Sequence, residues 1–236
     1  MINYDLLKRE SENIGVNLGE YGADRFDTYA ERLVRWNEHI NLTAITEPDE
    51  IVIKHFIDSL YVCKFVDFEK GQTLADVGTG AGFPGLPILI AKPKLEVNFI
   101  DSSGKRINFI NDVLSKIGII AQTTHERAED VGKMPEFREK YDYVTARAVA
   151  PLNILCEYCL PLVKEKGYFV SLKGSNGLEE LESAKNAISV LGGELIKAES
   201  YELPNGDGRT IFVIKKISQT PTKYPRKPKK IDTCPL

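Results

Sequence analysis

One segment of the chain, residues 73–106, restricts the possible folds more than any other. It indicates a short apolar strand, a glycine-rich loop, a helix and a second strand that ends in an acid. Gly78, Gly80 and Gly82 remove every Cβ from a turn where the backbone must come close to a ligand. Asp101 follows Gly82 by 19 residues, a spacing at which a carboxylate can accept both ribose hydroxyls of a nucleoside. The combination predicts a nucleoside-binding strand–helix–strand unit.

Strands and helices alternate along the chain from about residue 73. The predicted strands are 73–77, 96–101, 119–124, 141–146, 166–173, 194–202 and 209–216, and the predicted helices are 85–92, 103–117, 151–161 and 177–191. This alternation favours parallel strands with crossover helices on both faces of the sheet. The last two strands are joined only by residues 203–208, too few for a crossover, so we expect them to pair antiparallel. The fold class is α/β, with a seven-stranded, mostly parallel sheet that ends in a hairpin.

The two ends of the chain differ in composition from this alternating region. Residues 1–65 have helical apolar spacing, and a new helix is predicted with Thr46 as its candidate N-cap and Pro48 in its first turn. Residues 218–230 are rich in proline and cations and are expected to be poorly ordered by themselves. We therefore predict a helical segment 1–65 packed on the core, a core domain 66–217 and a basic tail 218–236.

The net charge of −3 is unevenly distributed. Seven basic residues and no acid lie between Lys215 and Lys230, whereas 24 basic and 33 acidic residues precede Lys215, a charge of −9. A basic end on an acidic body indicates an anionic partner met at one place. A solubilising tail explains the same composition equally well.

Composition also bears on compartment and on metals. No apolar run approaches the roughly 20 residues that span a bilayer, and the N-terminus lacks the residue order of a signal peptide, so we expect a cytoplasmic protein. Cys156 and Cys159 form the only CxxC and fall within an apolar helical pattern, which favours core packing over zinc. His39, His55 and His125 have no metal-like spacing, so no metal is expected.

In doubly wound sheets the ligand lies beyond the carboxyl ends of the strands, so residues just after each strand are candidates for the site. Asp76 can accept hydrogen bonds from the loop amides or from an ammonium group of the ligand. Asp101 is interpreted as a ribose acceptor, with a helix N-cap as the alternative. Phe83 follows the glycine loop directly, and the absence of a GK[ST] sequence there excludes a P-loop.

The later strands add four candidates. Ala128 and Glu129 follow the third strand, where a nucleobase edge would meet them, although an ordinary acidic helix start is an equal alternative. Arg147 follows the fourth strand and either orients an electron-rich substrate or forms a structural ion pair. Lys173 is a second cation at the same end of the sheet.

Two absences restrict the chemistry. No Asn/Asp-Pro-Pro-Tyr/Phe follows the fourth strand, so a clamp for an exocyclic amine is not evident. No cysteine follows a proline there, which argues against covalent activation of a pyrimidine ring. A site without a nucleophile or an obvious base suits an acceptor that already has a free lone pair.

Several motifs resemble the bacterial small-subunit rRNA guanine-N7 methyltransferases, the RsmG or GidB family. They cover the chain from about residue 20 to about residue 230 and comprise Asp76-Val-Gly-Thr-Gly-Ala-Gly-Phe-Pro-Gly-Leu-Pro87, Asp101-Ser-Ser-Gly-Lys-Arg106, Thr145-Ala-Arg-Ala-Val-Ala150, Asn41-Leu-Thr-Ala-Ile45 and Lys54-His-Phe-Ile-Asp-Ser-Leu60. The resemblance implies a class I methyltransferase fold, S-adenosylmethionine as cofactor and methylation of guanine N7 in the 530 loop region of 16S rRNA. By position, Gly78, Phe83, Ala128, Glu129 and Arg147 match the family's cofactor contacts, and Asp101 matches the second-strand acid of the wider class.

On this hypothesis Arg147 and Lys173 help to present the guanine, and the tail holds phosphates. The partner is 16S rRNA or the 30S subunit, met by a monomer. His55 and Asp58 share a helix face, either as an RNA contact or as a structural pair. Two other hypotheses stay open. A nicotinamide-dependent oxidoreductase is opposed by the C-terminal hairpin and by the missing second nucleotide-binding half. A non-enzymatic RNA-binding protein is opposed by the intact glycine loop and Asp101.

Overall fold

The centre of the molecule is a seven-stranded sheet with the order β3-β2-β1-β4-β5-β7-β6. The computed structural model describes residues 2–236. Its strands are β1 Thr73–Val77, β2 Glu96–Asp101, β3 Gln122–His125, β4 Tyr141–Arg147, β5 Val163–Gly174, β6 Gly193–Glu202 and β7 Gly208–Lys216. The first five pair in parallel, and β7 lies antiparallel between β5 and β6. The prediction of a mostly parallel sheet closed by a C-terminal hairpin is confirmed.

Helices cover both faces of this sheet. They are α1 Tyr4–Asn13, α2 Gly22–Asn37, α3 Pro48–Ile51, α4 Asp58–Leu60, α5 Gly85–Ala91, α6 Gly104–Ile117, α7 Ala128–Val131, α8 Leu152–Cys159, α9 Leu181–Val190 and α10 Pro228–Thr233. A π-helical stretch, Val52–Ile57, joins α3 to α4, and 3-10 turns cover Tyr61–Lys64 and Gly177–Glu180. Within residues 2–236, no helix is both long enough and apolar enough to cross a membrane.

The alternation of side chains along each strand produces two apolar cores, one on each face of the sheet. Leu74 on β1 packs into the core that the N-terminal helices share with α5 and α6, whereas its neighbour Ala75 packs into the other core. Cys156 and Cys159 on α8 are fully buried free thiols in that second core. The prediction that they serve core packing is confirmed.

Two local predictions were wrong. Thr46 is not the N-cap of α3, because Glu47 occupies that position with extended backbone and makes no side-chain cap bond. The third strand begins at Gln122 rather than at residue 119, and the side chain of Ile120 is 99% exposed. Ile120 lies in the irregular connection between α6 and β3, where an apolar residue gave the pattern of a strand start.

The tail, expected to be poorly ordered by itself, packs against the body of the protein, and its order in isolation stays a prediction. Tyr224 and Ile231 bury their side chains against the body of the protein. Arg226 forms an ion pair of 2.6 Å with Glu157 of α8, whose side chain is 1% exposed. The Glu157 carboxylate lies 69 residues before Arg226, so tail composition alone did not predict this packing.

Candidate active site

The glycine loop after β1 forms one wall of a cavity of about 460 Å³ at the carboxyl ends of the strands. Gly78 and Gly80 have φ of +63° and +59°, a left-handed conformation that side chains disfavour, and both line the cavity. A Cβ on Gly80 would meet no atom closer than the Gly78 carbonyl oxygen at 3.9 Å. The loop therefore presents bare backbone to whatever occupies the cavity.

Gly82 belongs to the core rather than to the cavity wall. Its φ is +96°, and an added Cβ would lie 2.8 Å from the Tyr29 hydroxyl oxygen and 2.9 Å from Cδ1 of Ile110. The Tyr29 hydroxyl in turn donates to the carbonyl of Ala81. The structure therefore gives the third glycine a packing role in the core. Gly80 has no such contact, and at Gly78 an added Cβ would lie 2.6 Å from Cγ2 of Val149, a residue of the cavity wall.

Asp76 holds the loop together from beneath. Its fully buried carboxylate accepts hydrogen bonds from the hydroxyls of Thr79 at 2.6 Å and Thr145 at 2.8 Å, and from the Gly85 amide at 3.1 Å. Burial raises the pKa of Asp76 to about 6, against the opposing effect of these donors. The contacts are with the loop and with the start of α5, which is one of the two roles considered for this acid.

Asp101 reaches the cavity from the end of β2. One carboxylate oxygen accepts the Gly80 amide at 2.9 Å, and the other accepts the Ser103 amide at 2.8 Å. Ser103 occupies the N-cap position of α6, so Asp101 is not the cap itself. The oxygen that accepts the Gly80 amide also pairs with the Arg106 guanidinium at 3.5 Å. Since each carboxylate oxygen has two acceptor sites, the oxygen that accepts the Ser103 amide keeps capacity for a ligand hydroxyl.

The opposite side of the cavity comes from the segment after β3 and from α8. Ala128 and Glu129 line it at the start of α7, and Glu129 is only 4% exposed. Arg127 approaches the Glu129 carboxylate at 3.6 Å. Tyr158 of α8 also lines this side and was not identified from the sequence, because nothing in an apolar helix marks which residue faces a ligand.

Arg147 lies at the other end of the cavity, at the end of β4. Its guanidinium donates to the Lys54 carbonyl at 3.2 Å and to the Asp58 carboxylate at 3.1 Å. The same guanidinium lies 4.6 Å from the centre of the Phe83 ring, and Phe83 stacks on His55 with 4.4 Å between ring centres. Arg147 and Phe83, predicted separately, therefore form one unit.

His55 is a neutral imidazole that fixes the orientation of Arg147. Burial and the nearby Arg147 charge lower the pKa of His55 to about 3. Nδ1 lies 3.3 Å from the Arg147 guanidinium and Nε2 lies 2.8 Å from the Thr43 hydroxyl. Because a guanidinium can only donate, Nδ1 accepts and Nε2 carries the hydrogen. Of the two roles considered for His55, the structural one describes these contacts.

Asp58 links this cluster to the far end of the chain. Its side chain is 5% exposed and pairs with Arg147 at 3.1 Å and with Arg209 of β7 at 3.3 Å. The Tyr201 hydroxyl donates to it at 3.4 Å. The sequence placed Asp58 beside His55 on a helix, but its pairing with two arginines follows only from the packing of α4 against the sheet edge.

Lys173 does not line the cavity. Its ammonium group forms an ion pair of 2.8 Å with Glu180 and donates to the carbonyl of Ala150. Glu180 also accepts the Leu152 amide at 2.6 Å. The structure thus ties Lys173 to the loop after Arg147 and not to the cavity that the other predicted residues share.

Other residues around the cavity, most of them within the motifs quoted above, were not predicted as cofactor contacts. They are Leu42, Val77, Thr79, Ala81, Ile100, Ser102, Arg106, Glu126, Arg127, Ala148, Val149 and Tyr158. Leu42 belongs to the Asn41-Leu-Thr-Ala-Ile45 motif, so that motif was a usable signal that the N-terminal segment reaches the site. The Asn37 side chain fixes this motif by accepting the amides of Leu42 and Thr43.

This arrangement fits S-adenosylmethionine. The volume lies within the usual range of roughly 300–1,000 Å³ for small-molecule sites. Gly80 leaves the space that a Cβ would fill, Asp101 offers acceptors for a ribose diol, and Glu129 stands on the far side. These residues would hold the nucleoside part, with Arg147 and Phe83 at the other end of the cavity.

Comparison with known proteins identifies the family. A model of the GidB family, described as rRNA small subunit methyltransferase G, matches residues 23–206. The chain belongs to this family. It is 48% identical to the ribosomal RNA small subunit methyltransferase G of Desulforamulus reducens over 94% of this chain and 93% of the relative. It is also 48% identical to the Bacillus licheniformis protein of that name over 100% of this chain and 99% of the relative.

Solved structures agree on the fold. The 16S rRNA (adenine(1408)-N(1))-methyltransferase of Catenulisporales acidiphilia is 13% identical, covers 67% of this chain and 88% of its own, and superposes with a TM-score of 0.53. At that identity the match speaks for the fold alone. The fold is that of class I methyltransferases, and the family assignment confirms the prediction of an rRNA methyltransferase that uses S-adenosylmethionine.

Proposed function

We propose that this methyltransferase modifies N7 of one guanine in the 530 loop region of 16S rRNA, acting as a monomer on RNA within the small ribosomal subunit in the cytoplasm. The observation that supports the proposal most is the Arg147 cluster at one end of the nucleoside cavity. It provides a fixed, planar hydrogen-bond donor and no group suited to deprotonating a substrate. An acceptor atom that is already nucleophilic requires orientation by such a donor and does not require a base.

The chemistry follows from the acceptor. S-adenosylmethionine supplies an electrophilic methyl group on a positively charged sulfur. Guanine N7 carries a lone pair and is unprotonated at neutral pH, so the reaction requires no general base. The protein then contributes mainly proximity and orientation, which can lower a barrier by roughly 7–11 kcal/mol.

Arg147 is the residue that we propose orients the guanine. Asp58, His55 and the Lys54 carbonyl hold its guanidinium from behind, and the Phe83 ring lies beneath it. Donation to guanine O6 would position the base while leaving the N7 lone pair free. Lys173 is a positioning residue in this scheme, because it reaches Ala150 and Glu180 rather than the cavity.

The test is methyl transfer from labelled S-adenosylmethionine to 30S subunits and to naked 16S rRNA from a strain that lacks the gene. We expect label in 7-methylguanosine after nuclease digestion and chromatography. Label in a different nucleoside, or in ribosomal protein, would refute the proposed acceptor.

Two variants separate cofactor binding from guanine orientation. Asp101→Ala should weaken the binding of S-adenosylmethionine, measured by calorimetry without RNA. Arg147→Lys should keep most of that affinity but reduce methyl transfer, because an ammonium cannot reproduce the planar guanidinium. If Arg147→Lys instead loses cofactor affinity in proportion to activity, Arg147 serves the cofactor and not the base.

A further inference from the structure

The C-terminal segment 218–236, hereafter the strap, lies outside the region matched by the family model, which ends at residue 206. The structure divides the basic residues at this end of the chain into two kinds. Lys216 is fully buried and donates to the carbonyl of Leu160 and the hydroxyl of Thr220, both at 2.6 Å. Arg226 is committed to Glu157. Neither is free to meet a partner.

Polar contacts, most of them partly buried, hold the strap on the body of the protein. The Arg226 guanidinium donates to both carboxylate oxygens of Glu157 and, at 3.0 Å, to the Cys234 carbonyl. Arg138 donates to the carbonyls of Thr220 at 2.6 Å and Tyr224 at 2.8 Å. Together with the buried Tyr224 and Ile231 side chains, these bonds give the strap one defined position.

Four strap lysines remain exposed: Lys223, Lys227, Lys229 and Lys230. Within residues 2–236, none of them forms a salt bridge or donates a side-chain hydrogen bond. The strap holds five basic residues and one acid, whereas the whole chain carries −3. The four lysines therefore face outward, on a strap whose position is fixed by its other residues.

The strap also lies beside the cofactor cavity. Pro225 packs on Gly132 at the end of α7, where an added Cβ would lie 2.8 Å from Cγ of the proline. Glu157, the partner of Arg226, precedes Tyr158, which lines the cavity. The helices that support the far side of the cavity thus support the strap as well.

We propose that the strap is a pre-folded phosphate-binding surface for rRNA, with Lys223, Lys227, Lys229 and Lys230 as the contacts and Arg226 as their anchor. This inference rests on the proposed function, because it takes the RNA substrate as the partner. Lysines on a fixed segment lose less conformational freedom on binding than lysines on a free tail. Contacts of this kind position the RNA without reading its sequence.

The test compares the salt dependence of binding. The variant has glutamine at all four strap lysines, and the probe is 30S subunits from a strain lacking the gene, with the affinity measured between 50 and 200 mM salt. Four lost phosphate contacts should reduce the slope of log K against log salt by about 3 to 4. The wild-type affinity should therefore fall about 50- to 150-fold more than that of the variant over this range.

A matched control replaces four other exposed lysines, Lys8, Lys70, Lys94 and Lys116, by glutamine. Three of these lie at the opposite ends of the strands or of α6 from the cavity. The control changes the net charge equally, and we expect it to keep the wild-type slope. Equal slopes for the two quadruple variants would overturn the proposal.

A third variant, Arg226→Ala, keeps all four lysines but removes the anchor. We expect the strap to become sensitive to limited proteolysis and the affinity for 30S subunits to fall, because the lysines lose their fixed positions. Undiminished affinity with a released strap would overturn pre-organisation. Failure of the wild type to form 7-methylguanosine would instead refute the proposed acceptor and leave the salt-slope comparison unaffected.

Discussion

Replacing Gly82 by alanine tests the conclusion that the three loop glycines differ in role. At Gly82 the new Cβ would meet Tyr29, Ile110 and Leu86 within 3.1 Å. The φ of +96° adds the strain of a left-handed residue. Gly118 has φ of +66° with no atom within 4 Å of its would-be Cβ, so Gly118→Ala measures the backbone strain alone.

The losses in unfolding free energy for the two substitutions should therefore differ by the cost of overpacking the core at Gly82. Left-handed strain costs about 1–2 kcal/mol at Gly118 and at least as much at Gly82, whose φ of +96° lies further from the left-handed minimum near +57°. Overpacking a core costs a further roughly 1–3 kcal/mol, and here the Tyr29 hydroxyl, which donates to the Ala81 carbonyl, cannot move without breaking that bond. We expect Gly82→Ala to lose about 1–3 kcal/mol more stability than Gly118→Ala.

Urea unfolding followed by circular dichroism measures this difference, and thermal melting should show it as about 2–4 °C per kcal/mol. Gly80→Ala completes the comparison: it should cost no more stability than Gly118→Ala, yet weaken cofactor binding, because its Cβ enters the cavity. Equal stability losses for Gly82→Ala and Gly118→Ala would refute the assignment of Gly82 to the core.

Three further predictions concern the acids. Asp101→Asn should reduce the affinity for S-adenosylmethionine about tenfold or more, the cost of a hydrogen bond to a charged group, and calorimetry showing unchanged affinity would contradict the ribose assignment. Asp58→Asn should lower the rate of methyl transfer more than cofactor affinity, since it removes the charge that holds Arg147; parallel losses in both assays would count against this. Asp76 has a pKa raised by burial to about 6 from 3.8, so its contribution to stability is complete below about pH 4 and is lost as the pH rises through 6. The melting temperature of Asp76→Asn should therefore fall less between pH 4 and 7 than that of the wild type. The same pH dependence in both proteins would refute this contribution of Asp76.

The features that the sequence predicted well depend on local pattern. The strand, loop and helix around Gly78 and the acid at position 101 are set by residues close together in the chain, and the structure brings both to one cavity. Ala128, Glu129 and Arg147 reach the same cavity because parallel strands end at the same edge of a sheet.

The features that it missed depend on contacts between distant segments. Arg147 was identified, but its partner Asp58 lies 89 residues earlier. Lys173 was placed at the correct edge of the sheet, yet Glu180 and the Ala150 carbonyl take up its charge. Strand-end position thus indicates which residues are near the site, and packing decides which of them face it.

The position of β7 has a consequence for when the enzyme becomes competent. It is the last strand to be synthesised, yet it lies between β5 and β6, and within the described chain β6 pairs with β7 alone. Arg209, at the start of β7, also supplies the second guanidinium of the Asp58 cluster. During translation one edge of β5 therefore stays unpaired, and β6 has no strand to pair with, until β7 has been synthesised. An enzyme that modifies ribosomal RNA thus completes its own site only after β7 has left the ribosome that synthesises it.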